Sequence, residues 1–106
     1  MIRVNRIKDE NGVNVGFRLI GHAEYADPGN DIVCAAVSVL VINTMNSIEK
    51  FTKDKFSCVQ DEESGLIEFI IVSEVSKASS LLMNSMFLGL KDIQHDYGKR
   101  FITVKA

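Results

Sequence analysis

The feature that most constrains this fold is the apolar segment from Ile32 to Phe51, which follows directly after Asp31. Asp31 is a favourable N-cap, because its short carboxylate can accept hydrogen bonds from the free N–H groups of a first helical turn. The predicted helix is apolar on most of its circumference, so it needs cover on more than one side. We therefore predict that it packs on a sheet and also against a second helix or a second chain.

Strands are predicted on both sides of this helix. Residues 1–21 have the alternation of a β-hairpin, and Asn11-Gly12 in its turn suits a type I′ geometry. The remaining predicted elements are a strand pair at 56–60 and 66–72, a helix at 75–95 and a closing strand at 101–104. We interpret the acidic residues 61–63 as a solvated turn. The order ββαββαβ predicts an α+β fold, a two-layer sandwich with two helices packed on a mixed or antiparallel sheet.

Composition limits the class of protein further. The 106 residues are 46% hydrophobic and 25% charged, which predicts a single domain over residues 1–106. The net charge is −2 with both signs scattered, so we expect no direct nucleic-acid partner. The longest nearly apolar run, residues 32–42, is about half a membrane span, and no signal peptide is recognisable. Two cysteines are too few for a disulfide framework, which favours a cytoplasmic protein.

Cys34 is the residue most suggestive of chemistry. It is the third residue of the predicted helix, where unpaired N–H groups and the helix dipole lower a thiol pKa. The same N–H groups are candidates to receive the oxyanion of a tetrahedral intermediate. His22, at the end of the second strand and the start of the loop into this helix, is the natural partner as general base and then acid. This pair is typical of a cysteine hydrolase.

Two more polar residues lie on the same predicted helix face as the thiol. Asp31 is three residues before Cys34 and Ser38 is four residues after it, so either can orient groups at the site. Both also have simpler roles. Asp31 caps the helix, and the Ser38 hydroxyl can donate to the Cys34 carbonyl.

Other interpretations of these residues stay open at this point. Cys34 can be a small buried hydrophobic residue of the core. A metal site from His22, Asp27, Asp31 and Cys34 lacks compact zinc spacing, so we predict no metal. A redox pair of Cys34 and Cys58 lacks a Cys-x-x-Cys motif, and we place Cys58, within a strand, in the core.

Two short elements carry a resemblance to a known family. They are Gly21-His22-Ala23 and, after a loop, Gly29-x-Asp31-Ile32-Val33-Cys34-Ala35-Ala36-Val37-Ser38. Together they closely resemble the bacterial ribosomal-processing cysteine protease family, Prp. The chain length and the ββαββαβ order agree with this family over essentially the full length.

The resemblance implies a function and a set of roles. Members of the family are cytoplasmic, dimeric enzymes without a cofactor, and they remove an N-terminal extension from bacterial large-subunit ribosomal protein twenty-seven. By position, Cys34 would be the nucleophile and His22 the proton-transfer partner, with Asp31 and Ser38 in support. Gly21 and Gly29 flank the loop and would act as hinges of a mobile substrate loop.

We therefore predict a cysteine endopeptidase that acts on a ribosomal protein precursor, forms a homodimer and has no membrane segment. The alternative is a non-catalytic, ribosome-associated module that binds a peptide without cutting it. In that alternative His22 and Cys34 are structural, and the thiol has ordinary reactivity.

Overall fold

The computed structural model describes residues 1–27 and 29–105, which form a five-stranded mixed sheet covered by two helices. The elements are β1 Ile2–Lys8, β2 Asn14–Ile20, α1 Ile32–Phe51, β3 Phe56–Asp61, β4 Leu66–Ile71, α2 Lys77–Tyr97 and β5 Ile102–Lys105. The predicted two-layer α+β sandwich and its element order are confirmed.

The strand order determines which loops become neighbours. The sheet runs β3-β4-β2-β1-β5, with β1 and β5 parallel and every other neighbouring pair antiparallel. β2 and β4 pair with Leu19 opposite Ile67. The end of β2 therefore lies beside the turn that joins β3 to β4, and the loop that leads into α1 begins at this point.

The core lies between the sheet and the helices. Phe17 of β2 and Phe69 of β4 are fully buried, and their rings stack with centroids 5.2 Å apart. Phe87 of α2 meets the Phe17 ring edge-on at 6.5 Å. Each fully buried side chain of this size contributes about 1.5–3 kcal/mol of burial free energy, so these aromatic residues hold the two layers together.

Helix α1 has the length and composition of a membrane span, a test that core helices of soluble proteins also pass. One face of α1 is buried, through Val33, Val37, Val41, Thr44, Met45 and Ile48. A neighbouring face lies against α2, where Leu40 lies beside Gly89. We therefore interpret α1 as the core helix, and its predicted second partner is α2.

Three local predictions are wrong. A type I′ turn needs positive φ at both Asn11 and Gly12, but only Gly12 has it, at 79°. Instead, an Asp9 carboxylate oxygen accepts from the N–H groups of Asn11 and Val13, both at 2.9 Å, and shapes a longer loop. The second helix begins two residues later than predicted, since Ser76 is its N-cap. Cys58 is exposed rather than in the core, because β3 is an edge strand.

Candidate active site

Cys34 lies in the first turn of α1, at the predicted position. Asp31 is the N-cap, and its Oδ1 accepts from the N–H groups of Val33 and Cys34, both at 3.0 Å. These two N–H groups are therefore occupied by the cap. The expectation that they stay free to receive an oxyanion is wrong for this arrangement.

The loop before the helix folds back over the thiol. Ala23 N–H donates to Cys34 Sγ at 3.3 Å, and the backbone of Glu24 also hydrogen-bonds to the thiol. Glu24 has a φ of 57°, a left-handed conformation that costs a non-glycine residue about 1–2 kcal/mol. Tyr25 N–H donates to Asp31 Oδ2 at 3.0 Å, which ties the loop to the helix cap. The strained residue thus belongs to a short segment whose N–H groups face the thiol.

The surroundings of Cys34 favour the thiol over the thiolate. Burial raises the pKa of Cys34, and the Asp31 carboxylate raises it further, while the N–H groups of Ala23 and Glu24 act in the opposite direction. The sequence-based expectation of a lowered thiol pKa is therefore wrong. The main physical reason is burial of the sulfur, and Asp31 adds to it because the cap also brings a negative charge near the thiol.

Asp31 itself is stabilised as a carboxylate. Its partial burial opposes the charge, but the N–H groups of Cys34, Tyr25 and Ala26 keep the pKa of Asp31 below its ordinary value. The prediction that Asp31 caps the helix is therefore confirmed. The residue also anchors the loop, which sequence spacing did not indicate.

His22 is exposed and lies at the end of β2, next to the β3–β4 turn. Its Nε2 is 2.9 Å from the carbonyl oxygen of Glu63. Within the described part of the chain, no hydrogen bond joins the ring to Cys34 Sγ. Pairs of this kind often tighten only in the complex with substrate, so this geometry is compatible with catalysis.

Two cavities meet at these residues. One, of about 310 Å³, is lined mainly by aliphatic side chains such as Leu19, Val37 and Ile67. The other, of about 1050 Å³, is bordered by the loop and its acidic residues. His22, Cys34 and Ser38 line both cavities. The structure thus brings the two predicted catalytic side chains to one place, where they share the lining of both cavities.

The supporting residues differ in their surroundings. Ser38 is exposed, and in residues 1–27 and 29–105 its hydroxyl makes no hydrogen bond back to the helix. Gly21 and Gly29 both have positive φ, at 96° and 89°. Gly29 has open space around it, whereas a Cβ on Gly21 would overlap the Met1 carbonyl oxygen. The hinge role stays a prediction, and Gly21 is the more tightly held of the two.

The β3–β4 turn is the part of the site that sequence reasoning missed. The sequence predicts a solvated turn at residues 61–63, yet the Glu63 carbonyl contacts the His22 ring and Asp61 and Glu62 line the smaller cavity. The turn reaches His22 because β4 lies next to β2 in the sheet. The sequence pattern predicts the strands but not their order, so it does not predict this contact.

A metal site and a thiol redox pair, which the sequence disfavours, can also be compared with the geometry. In the described residues, no group of three or more His, Cys, Asp or Glu side chains is arranged to hold a metal ion. Cys34 and Cys58 are both free thiols, with Cys58 exposed on β3.

Comparisons with known proteins identify the family. The sequence matches the family described as Cysteine protease Prp over residues 1–102. It is 25% identical over 99 residues to the ribosomal processing cysteine protease Prp of Staphylococcus aureus, covering 93% of each chain. The protein of that name from Bacillus subtilis is 28% identical over 87 residues, or 78% of each chain.

Solved structures give the same result. The essential ribosomal processing protease Prp from Staphylococcus aureus, in complex with a covalently linked product peptide, has a TM-score of 0.90 and 25% identity. The alignment covers 99% of this chain and 98% of that one. A Streptococcus mutans protein has a TM-score of 0.79 and 31% identity, with 99% and 92% covered.

The fold, the thiol in its cavities and these matches define a cysteine protease. More narrowly, the chain belongs to the Prp family of cysteine proteases, as the match over residues 1–102 shows.

Proposed function

We propose that this protein removes the N-terminal extension of bacterial large-subunit ribosomal protein twenty-seven, with Cys34 as nucleophile and His22 as general base and acid. The observation that carries the proposal is that His22 and Cys34 line the same two cavities. An extended peptide that occupies both cavities would pass its backbone over Sγ. The Staphylococcus aureus relative, solved with a covalently linked product peptide, supports this placement.

The protonation of the thiol determines the first step. Because the pKa of Cys34 is raised, the free protein holds a thiol, and His22 must accept its proton as Sγ attacks the peptide carbonyl carbon. The C–N bond then breaks, and His22 returns the proton to the leaving amine. A thioester remains on Cys34. Water hydrolyses this thioester, which releases a carboxylic acid and regenerates the thiol.

The oxyanion of this reaction needs hydrogen-bond donors near Sγ. The N–H groups of Val33 and Cys34 already donate to Asp31. The N–H groups of Ala23 and Glu24 face the sulfur, and within residues 1–27 and 29–105 neither donates to a carbonyl oxygen. A substrate carbonyl bonded to Sγ would come within reach of these same donors, which supports the loop as the oxyanion site.

The partner and the compartment follow from the same proposal. The protein would meet its substrate in the cytoplasm, where ribosomal proteins are assembled, and would act as a homodimer. Support for a dimer comes from the helical layer, which leaves large aliphatic side chains exposed: Ile32, Val39, Ile42, Leu81 and Leu88, from 46% to 70%. Exposed aliphatic surface of this kind is characteristic of an interaction site.

The test of the proposed reaction is cleavage of the ribosomal protein with its own extension, read by intact mass. We expect one cut with the wild-type protein and none with Cys34→Ala or His22→Ala, both checked for folding by circular dichroism. If the wild-type protein does not cut a precursor that carries an extension, the peptide-binding alternative replaces the proposed function. A cut that persists in Cys34→Ala would reject Cys34 as nucleophile.

The dimer is tested by analytical ultracentrifugation. Val39→Lys and Leu88→Lys place charges on the helical layer, and we expect at least one of them to give a monomer. The matched control is Val59→Lys, because Val59 is 54% exposed but lies on β3 of the sheet. A wild-type monomer at working concentration would reject the homodimer.

A further inference from the structure

The His22 ring has one hydrogen-bond partner among the described residues, the main-chain carbonyl of Glu63 at 2.9 Å from Nε2. A carbonyl oxygen only accepts hydrogen bonds, so the ring nitrogen in this contact must carry a proton. In a neutral imidazole the proton on Nε2 leaves Nδ1 unprotonated. The contact therefore assigns which ring nitrogen is free to accept a proton.

The position of this carbonyl is fixed by the backbone around it. Gly21, directly before His22, donates its N–H to the Ser64 carbonyl at 2.9 Å. Gly65 packs against Gly21 so closely that a Cβ on Gly65 would overlap the Gly21 carbonyl oxygen and lie 2.8 Å from its carbon. Within the turn, the Ser64 hydroxyl donates to Asp61 Oδ2 at 2.8 Å. The turn and the residue before the histidine are thus held in direct contact.

No carboxylate or amide side chain takes this place in the part of the chain that the structure describes. Asp31 is the carboxylate nearest to the thiol in sequence, but its two oxygens accept from Val33, Cys34 and Tyr25. A cysteine–histidine pair works best when a third group orients the base. The Glu63 carbonyl is the group available for this role.

We infer that the main-chain carbonyl of Glu63 is the third group of the catalytic site, and that Gly65 is the positioning residue that keeps it against His22. This inference rests on the proposed role of His22. Nε2–H donates to the carbonyl, and Nδ1 accepts the thiol proton once substrate brings the two side chains together. When Nδ1 is protonated, the positive imidazolium is stabilised by the same carbonyl dipole.

The glycines of the two hairpin turns provide a matched pair of variants. Gly65→Ala and Gly12→Ala both place a Cβ on a residue of positive φ, at 69° and 79°. The backbone strain is therefore similar in both. Only the Gly65 side chain would meet the backbone before His22, because nothing lies within 4 Å of a Cβ on Gly12.

The direct test is nitrogen-15 NMR of protein labelled at histidine, at a pH where both imidazoles are neutral. The ring-nitrogen shifts give the tautomer, and the reference is a labelled histidine in a short unstructured peptide, because His95 Nδ1 lies 3.4 Å from Asp96 Oδ1 and its own tautomer is biased. We expect His22 to hold the Nε2–H tautomer more completely than this peptide in the wild type and in Gly12→Ala. In Gly65→Ala we expect the His22 tautomer ratio to become that of the peptide.

Kinetics on the ribosomal precursor give the second readout. We expect kcat to fall by about 100-fold in Gly65→Ala with little change in KM, since a small displacement of a catalytic group has effects of this order. Gly12→Ala should keep the wild-type kcat. A change of stability alone would move neither the tautomer nor kcat of the folded fraction.

The outcomes separate this inference from the proposed function. A wild-type His22 with the tautomer ratio of the unstructured peptide, or a Gly65→Ala variant with wild-type tautomer and kcat, overturns the inference while cleavage continues. A wild-type protein with the expected tautomer and no cleavage overturns the proposed function. If Gly65→Ala does not fold, the wild-type tautomer still decides, because it needs no variant.

Discussion

The third residues of the two helices can be compared directly. Cys34 in α1 and Ser79 in α2 both follow a capped helix start, at Asp31 and Ser76 respectively. Cys34 is partly exposed and lines two cavities. Ser79 is fully buried, near the Asp54 carboxylate. The same position on the same kind of element has opposite surroundings.

The strand-to-helix connections account for the difference. Residues 21–31 join β2 to α1, whereas only residues 72–76 join β4 to α2. The longer connection folds back over Cys34, supplies N–H groups to the sulfur and borders a cavity. The shorter one leads straight into the helix, so the side chain at its third position enters the core. A nucleophilic side chain in the first turn of a helix is therefore not sufficient for an active site. The loop before the helix must also leave a cavity beside that side chain.

The largest expected effect is on the rate of cleavage. Cys34→Ala should lower the rate by about 10⁴-fold or more, as removal of a nucleophile does in other hydrolases. Ser79→Ala should keep the rate of the wild type. The double variant Cys34→Ala/Ser79→Cys should stay inactive, because its thiol would be buried without a cavity. Intact-mass kinetics on the precursor measures all three, and activity in the double variant would contradict the comparison.

The two N-caps should affect stability alike and activity differently. Asp31→Ala and Ser76→Ala each remove a cap, which costs about 1 kcal/mol of unfolding free energy in urea titrations. Asp31→Ala should also lower kcat/KM by about tenfold or more, since it frees the Tyr25 N–H and the loop. Ser76→Ala should leave kcat/KM unchanged. Equal kinetic effects in the two variants would reject the role of the loop.

The thiol gives a third, smaller effect. In a Cys58→Ser background, the alkylation rate of Cys34 with iodoacetamide should rise with pH through a midpoint above the ordinary thiol pKa of about 8.5, since burial raises the pKa of Cys34. Asp31→Asn removes the nearby negative charge, so the midpoint should fall and the rate at neutral pH should rise on the order of threefold. A wild-type midpoint near neutrality would mean that the helix N-terminus outweighs both the burial of the sulfur and the Asp31 charge.

Most of the fold was predictable because it depends on local periodicity. Alternation gave the strands, and the apolar pattern after Asp31 gave α1 with its start at the correct residue. The type I′ turn failed because the Asp9 carboxylate, three residues before Gly12, competes for the backbone N–H groups of the loop. Side-chain hydrogen bonds of this kind override the preference of an Asn-Gly pair.

The site was predictable only in part, for a similar reason. The positions of His22 and Cys34 follow from where a strand ends and a helix begins, and a short motif contains both. The contact of His22 with Glu63 follows from strand order, and 41 residues separate the two partners. The direction of the Cys34 pKa depends first on burial of the sulfur, to which the Asp31 carboxylate adds, while the N–H groups of Ala23 and Glu24 oppose both. Spacing indicates the helix N-terminus but neither the burial nor the folded-back loop.

The smallest expected effect is on acid stability and again concerns Asp31. Hydrogen bonds from the N–H groups of the helix and loop keep the pKa of Asp31 below its ordinary value of about 3.9. The resulting stability is fully present above that value and is lost as the pH falls through the lower, folded-state pKa. Asn also caps helices but does not titrate. Urea titrations between about pH 5 and pH 2 should therefore show a shallower loss of unfolding free energy in Asp31→Asn than in the wild type.

The control for this effect is Asp27→Asn, because Asp27 lies in the same loop and its carboxylate accepts no hydrogen bond in the described part of the chain. Its acid slope should follow that of the wild type. If Asp31→Asn and the wild type lose stability equally, the cap carboxylate gains nothing from its charge in the folded state. The hydrogen bonds of Asp31 would then act only by shaping the loop. The charged cap Asp31 and the uncharged cap Ser76 would then contribute to the free energy of unfolding in the same way.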